Sequence, residues 1–221
     1  MHVVVNAATS VDGKLSSRRR EQIEISGPED FDRMDRLRAA ADAVMVGVGT
    51  VLADDPHLTL DVEDRRVQRL RNGRPGNPAR VVADSRARTP TDARILDDEA
   101  TTYLLVADIA PDDRVEALEA TGGVVLRAGD ERVDLAAGFE ALESHDVERV
   151  MVEGGGEIVF SLFEAGLVDE LSLYVGSLVI GGRDAPTLAD GEGFVDVDEF
   201  PRLELTDVER LDDGVVLHYA V

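Results

Sequence analysis

Short apolar runs alternate with helical patterns along nearly the whole chain, and twice a run ends in glycines that open directly onto a helix. The first junction reads AVMVGVGTVLADDPHLTL, from Ala43 to Leu60, and the second reads RVMVEGGGEIVFSLFEAG, from Arg149 to Gly166. Repeated strand–helix alternation restricts a chain to an α/β arrangement, because a helical crossover returns each strand parallel to the last. Strands are predicted in HVVVNAAT, AVMVG, ARVVAD, TYLLVA, GVVLRA, RVMVEGGG and ELSLYVGSLVI, and at 202–210 and 214–221. Helices are predicted over 28–41, 111–120, 134–144 and 156–165. The last two strands flank Leu211-Asp-Asp-Gly, a hairpin signal. The expectation is one domain over 1–221, with a mostly parallel central sheet covered by helices and a C-terminal antiparallel hairpin. The polar stretch 62–78 reads as a surface excursion, since the strand pattern resumes unchanged after it.

Composition narrows the function. The chain has no cysteine, which excludes disulfides, thiolate zinc sites and cysteine nucleophiles. A formal net charge of −23 argues against nucleic acid and anionic membranes as partners. Lys14 is the single lysine against 22 arginines. Dispersed acids with almost no lysine suit a surface built for high salt, where self-repulsion is screened. With no apolar run of membrane-spanning length and no leader pattern, the expected location is the cytoplasm.

The glycine junctions carry the chemistry. Gly47-Val48-Gly49 lacks the third glycine of a dinucleotide fingerprint, since Leu52 stands there, and Thr50 is not preceded by the lysine of a P-loop. What remains is a strand, two glycines, a hydroxyl and a helix start, which fits either a tight turn or a backbone cradle for phosphate. The second junction places Glu153 before Gly154, Gly155 and Gly156, then a helix with Ile158, Val159, Leu162 and Phe163 inward. Two such junctions put anion-receptive loops at the carboxyl edge of the sheet, where pyrophosphate is the natural occupant. Glu153 is either a site acid aimed at that crevice or a solvated loop acid.

In helix 28–41, Ser26-x-x-Glu29 reads as a capping box. Phe31, Met34, Leu37 and Ala41 mark the apolar stripe. At 100° per residue Arg38 falls on that inward face, while Arg33 and Arg36 fall outside. An inward arginine needs an anion, either a core carboxylate such as Asp12 or Asp42 or a substrate phosphate. Asp84, Ser85, Arg86 and Arg88 follow another strand end and suit the 2′-phosphate of NADPH, or plain surface arginines among acids. The four histidines, His2, His57, His145 and His218, show no metal-ligand spacing, and no metal is expected.

Taken together, NAATSVDGKL, LRAAADAVMVGVGTVLADDPHLT, NPARVVADSRARTP and VMVEGGGEIVFSLFEAGLVDEL resemble the pyrimidine reductases of riboflavin biosynthesis. The resemblance covers nearly the whole chain and extends to the stand-alone enzymes and to the reductase half of the bifunctional deaminase/reductase. It implies a three-layer fold like dihydrofolate reductase, a homodimer, and NADPH-dependent reduction of a ribosylaminopyrimidine 5′-phosphate to its ribitylamino form. Matched residue by residue, it implies cofactor contacts at Ala8, Gly49, Thr50, Asp54, Asp84, Ser85 and Gly154 to Glu157. It likewise implies substrate contacts at Glu153, Arg38 and Leu58, with Asn6, Asp12 and Ser26 lining the same pocket. Glu153 and Asp12 are the acids nominated for catalysis. Bifunctional relatives carry an arginine where Asp61 stands, so phosphate recognition here leans on Arg38 or on backbone N–H groups. The deaminase signature is absent. The competing readings are another reductase of the same fold and a nucleotide-binding module without activity.

Overall fold

The structure is a computed structural model and describes residues 1–21 and 23–221. In chain order the strands are β1 (His2–Ser10), β2 (Ala43–Gly47), β3 (Ala79–Ala83), β4 (Thr102–Val106), β5 (Val124–Arg127), β6 (Arg149–Gly154), β7 (Glu170–Gly176), β8 (Glu204–Leu211) and β9 (Gly214–Ala220). The helices are α1 (Pro28–Ala40), α2 (Val48–Asp54), α3 (Glu63–Arg71), α4 (Asp112–Glu119), α5 (Leu135–Glu143) and α6 (Gly156–Glu164). Contacts group the chain into two compact units. One comprises Met1 and Asp35–Met151, the other His2–Met34 and Val152–Val221, so α1 and β6 contribute residues to both. Among the described residues no helix is long and apolar enough to cross a membrane.

In the first unit β2, β3, β4 and β5 pair in parallel, in that order. Their sequences are near-continuous apolar runs, as strands covered on both faces require. Val44 and Val46 of β2, Val82 of β3 and Leu104 and Val106 of β4 share one buried cluster with Val51, Leu58, Ile95 and Leu118. In the second unit β1 pairs parallel with β7, and β9 runs antiparallel to both β7 and β8. The hairpin turns at Asp212-Asp213, with Asp212 at φ +50°. Gly214 is dictated by packing, since a Cβ there would lie 2.4 Å from the Val175 carbonyl oxygen and 2.6 Å from the Tyr174 ring. The α/β class, the mostly parallel strands and the terminal hairpin are those expected from the sequence.

Three local expectations are corrected. Half of the supposed excursion at 62–78 is helix α3. Its acids Glu63 and Asp64 sit in the first turn and Arg69 and Arg71 in the last, complementing the helix dipole. Arg69 is buried and donates to the Ala39 and Ala41 carbonyls at 2.8 and 2.7 Å, satisfying groups that the end of α1 leaves open. Burial, then the neighbouring Arg74, pulls its pKa down to about 10. The sequence pattern hides this helix because α3 turns almost no apolar residue inward.

The capping box is replaced by a contact from the far end of the chain. The Asp212 carboxylate accepts from the backbone N–H groups of Glu29 (3.2 Å) and Asp30 (3.0 Å), and Glu29 Oε2 accepts from Asp212 N at 3.0 Å. A Cβ on Gly27 would lie 2.6 Å from the Asp212 side chain, so the approach needs glycine.

The inward arginine of α1 is Arg33, not Arg38. Phe31 is exposed and Arg38 half-buried, whereas Arg33 retains 5% exposure. Its guanidinium donates to Asp30 Oδ1 (2.8 Å), Ser172 Oγ (2.6 Å) and Asn6 Oδ1 (2.9 Å). Asn6 and Ser172 are register partners across β1 and β7, so one fork spans a cross-strand pair. The buried face of this helix is polar and fully paired, and an apolar stripe therefore points the wrong way. Arg33→Met, which strands the buried Asp30 carboxylate, is expected to lower unfolding free energy by about 3–5 kcal/mol. Denaturant unfolding checks this, and adding Asp30→Asn should recover part of the loss.

Candidate active site

The first unit gathers two groups of the predicted residues. In α2, Gly49 is exposed and Thr50 half-buried in the first turn, and Asp54 closes the helix. A Cβ on Gly49 would meet nothing within 4 Å, and its φ is not positive. The turn therefore does not demand this glycine. The Asp54 carboxyl is pushed up from its ordinary value by partial loss of water, although the residue stays exposed. After Asp55, itself left-handed at φ +43°, the chain reaches Leu58, buried and at φ +54°. A γ-branched side chain held in that region is a strained feature of the kind that collects at functional sites. Arg38 Nη1 donates to the Thr59 carbonyl at 2.8 Å, which brings Arg38 and the Leu58 segment together.

The second group is the turn after β3. Asp84 is fully buried, and its Oδ2 accepts from Thr89 N (2.7 Å) and Thr89 Oγ1 (2.8 Å). Its Oδ1 is buried without a hydrogen bond, the Arg88 Nε lying at 3.8 Å. Ser85 Oγ accepts from Val133 N at 3.0 Å. Arg86 and Arg88 project into solvent. Thr89 and Val133 hold this turn, and nothing in the sequence pattern singled them out.

The second unit holds the remaining residues. Asn6 is bound to Arg33, Ser26 is buried, and Ala8 is half-buried on β1. Asp12 is occupied otherwise than expected. Its carboxylate accepts from Ser10 Oγ (2.7 Å), Ile180 N (3.0 Å) and Gly181 N (2.7 Å). These bonds, the serine's first, draw its pKa down to about 2. The same bonds tie the carboxylate to the backbone of the 180–181 loop. Glu153 stands half-buried on β6, just before the glycines.

The three glycines differ in kind. Gly154 has open space around its missing side chain, at φ +152°, and Gly155 caps α6 at φ +61°. Gly156 is crowded, since a Cβ would lie 2.5 Å from the Thr187 carbonyl oxygen and 2.7 Å from Asp190 Oδ2. Its bareness is explained by that packing. In α6 the inward residues include Val159 and Leu162 as expected, together with Phe160, whose ring meets that of Phe194 at a tilt with centroids 5.2 Å apart. Ile158 and Phe163 are only half-buried, and Glu157 is exposed in the first turn.

The family described as the RibD C-terminal domain matches residues 1–217. The chain belongs to this family. A 2,5-diamino-6-ribosylamino-4(3H)-pyrimidinone 5′-phosphate reductase of Archaeoglobus fulgidus is 47% identical over 96% of this chain and 94% of its own length. The reductase of the same name from Methanothermobacter thermautotrophicus is 43% identical over all of this chain and 98% of its own. Among solved structures, a pyrimidine reductase-like protein of Corynebacterium diphtheriae superposes with TM-score 0.83 at 20% identity, covering 99% of this chain and 91% of that one. A dihydrofolate reductase of Enterococcus faecalis superposes at 0.51 and 12% identity, covering 99% and 95%. Both likenesses establish the fold of this RibD C-terminal domain as dihydrofolate-reductase-like.

Two glycine substitutions separate packing from function. Gly156→Ala should destabilise the fold by roughly 1–3 kcal/mol through overpacking against Thr187 and Asp190. Gly49→Ala should leave stability unchanged or raise it by up to about 1 kcal/mol, because alanine favours the helix. Thermal melts of the two variants against the natural chain check both.

Proposed function

We propose that this chain reduces the ribosylamino side chain of a 2,5-diaminopyrimidinone ribosyl 5′-phosphate to the ribitylamino form, with NADPH as the reductant. The observation that carries the reading is whole-length identity to two stand-alone reductases bearing that name, at 47% and 43%. NADPH, when bound, supplies the hydride. Everything else falls to the chain's own residues.

The residues present suit a dinucleotide. Gly49 offers bare, exposed backbone that local geometry does not require, and Gly154 is similarly open. Asp84 Oδ1 is a buried acceptor left over for a donor on the ligand. We assign cofactor contacts to Ala8, Gly49, Thr50, Asp54, Asp84, Ser85 and Gly154 to Glu157. Arg86 and Arg88, exposed beside the Asp84 turn, are the cations available to a 2′-phosphate.

Substrate contacts are assigned to Asn6, Ser26, Arg38, Leu58 and Glu153. Arg38 supplies a cation for the substrate's 5′-phosphate, while its bond to the Thr59 carbonyl fixes the strained Leu58 segment. Reduction requires the ribose ring to open to an imine and the former ring oxygen to take a proton. With the Asp12 carboxylate already occupied by Ser10 and the 180–181 backbone, Glu153 is the acid assigned to hold the sugar and relay that proton. Asp12 serves the site by fixing the 180–181 loop.

Residues 1–221 are taken to act as one reductase domain in a homodimer in the cytoplasm. What favours a dimer is β8, exposed along all but its last residue, with Leu205 and Val208 each half-exposed on an edge strand. The acidic, lysine-poor surface favours molar salt as the working medium.

The test is loss of reduced-nicotinamide absorbance on adding the diaminopyrimidinone ribosyl phosphate in molar potassium chloride. Turnover with NADPH is expected, and its absence in folded protein would contradict the assignment. Arg38→Met should raise the substrate KM about tenfold or more, since a charge-assisted hydrogen bond is worth roughly 1.5–3 kcal/mol. Its effect on the KM for NADPH should be small. Gly49→Ala should do the reverse.

A further inference from the structure

In the unit formed by Asp35–Met151, three side chains converge that the proposed reaction does not use. His57 Nδ1 is buried and makes no hydrogen bond, although Asp97 Oδ2 lies only 3.3 Å away. One ligand atom each from His57, Asp97 and Glu99 fall within 4.8 Å of one another. A ring nitrogen withdrawn from water without a hydrogen bond is costly, and here it faces the Asp97 carboxylate, with a Glu99 ligand atom within 4.8 Å.

The surroundings fix this cluster. Asp97 is held through its other oxygen, Oδ1 accepting from the fully buried Arg80 Nη2 at 2.7 Å and from Glu99 N at 3.0 Å. That leaves Oδ2 turned toward His57. Asn77 accepts from Leu60 N and donates to the Glu99 carbonyl, both at 3.1 Å, tying the segment after His57 to the one carrying the acids. Arg94 N donates to Asp55 Oδ1 at 2.8 Å on the other side. Ligating carboxylates in metal sites are typically oriented by such bonds to their second oxygen.

We propose that His57 Nδ1, Asp97 Oδ2 and Glu99 bind one divalent transition-metal ion, with water completing its coordination. One imidazole and two carboxylates favour Zn²⁺ over the all-oxygen preferences of Ca²⁺ and Mg²⁺. Zinc sits roughly 2.0–2.2 Å from such donors, so binding requires Glu99, which is exposed, and His57 to turn toward the ion. Arg80 offsets the charge of Asp97, so Glu99 supplies the net negative charge that the ion meets. The bound metal would clamp the 55–58 turn, with its strained Leu58, to the 94–99 segment, and it takes no part in the reduction.

The probe is zinc itself. The full chain, stripped with a chelator, is titrated calorimetrically with Zn²⁺ in a metal buffer, with thermal melts in parallel. One ion per chain and a raised melting temperature are expected, neither abolished by excess Mg²⁺. Affinity should fall at least tenfold in His57→Ala and in Glu99→Gln. It should be unchanged in His2→Ala, whose histidine also faces two acids, Asp169 and Glu170. If His57→Ala loses its fold, Glu99→Gln at an exposed position decides. No stoichiometric binding by the natural chain would overturn the proposal and leave an ordinary His57–Asp97 ion pair. Binding that survives Glu99→Gln, or that follows His2, would overturn it equally.

Discussion

A guanidinium sealed inside an acidic protein sets the terms for the second unit. Arg33 is nearly devoid of solvent contact, and its fork closes on Asp30, Asn6 and Ser172. Because Asn6 and Ser172 are register partners on β1 and β7, the same bonds that neutralise the charge fix how α1 lies on that strand pair. Asp212 then fastens the start of α1 from the hairpin turn. One helix is thus held by two polar ties, each costly to leave half-made. Asn6, assigned to the substrate, is presented on this rigid frame with its carbonyl oxygen already engaged.

The same ties explain what was legible in the sequence. Strands announced by continuous apolar runs appear where expected, and Leu211-Asp-Asp-Gly forms the hairpin, because burial of apolar surface leaves a direct imprint on residue type. Helix α1 leaves no such imprint. Its buried side chains are Asp30, Arg33 and Asp35, so the stripe of Phe31 and Met34 misleads and Arg38 is turned less inward than Arg33. Helix α3 is hidden for the same reason, its inward residue being Arg69 bonded to carbonyls of α1. The Ser26–Glu29 pattern gave way to Asp212 because a partner so distant in the chain has no local signature.

Candidate site residues divide along a similar line. Gly49 and Leu58 carry features that packing alone does not explain, an unneeded glycine and a left-handed leucine. The bareness of Gly156 is also demanded by packing against Thr187 and Asp190. Asp12 and Glu153 looked equivalent as acids. Three hydrogen bonds commit the Asp12 carboxylate to anchoring a loop, and the proposed proton relay falls to Glu153. The convergence of His57 with Asp97 and Glu99 is invisible to spacing rules because the residues come from separate segments.

The central claim is that this member of the RibD C-terminal domain family moves a hydride from a reduced nicotinamide to the sugar carbon of a ribosylaminopyrimidine phosphate. Isotope transfer measures that directly. The chain is incubated in molar potassium chloride with NADPH carrying deuterium at the transferable C4 position, and the product is analysed by mass spectrometry. The account predicts a ribitylamino product carrying a single deuterium at the former anomeric carbon. A reduced product without the label, or NADPH bound but never consumed, would contradict it.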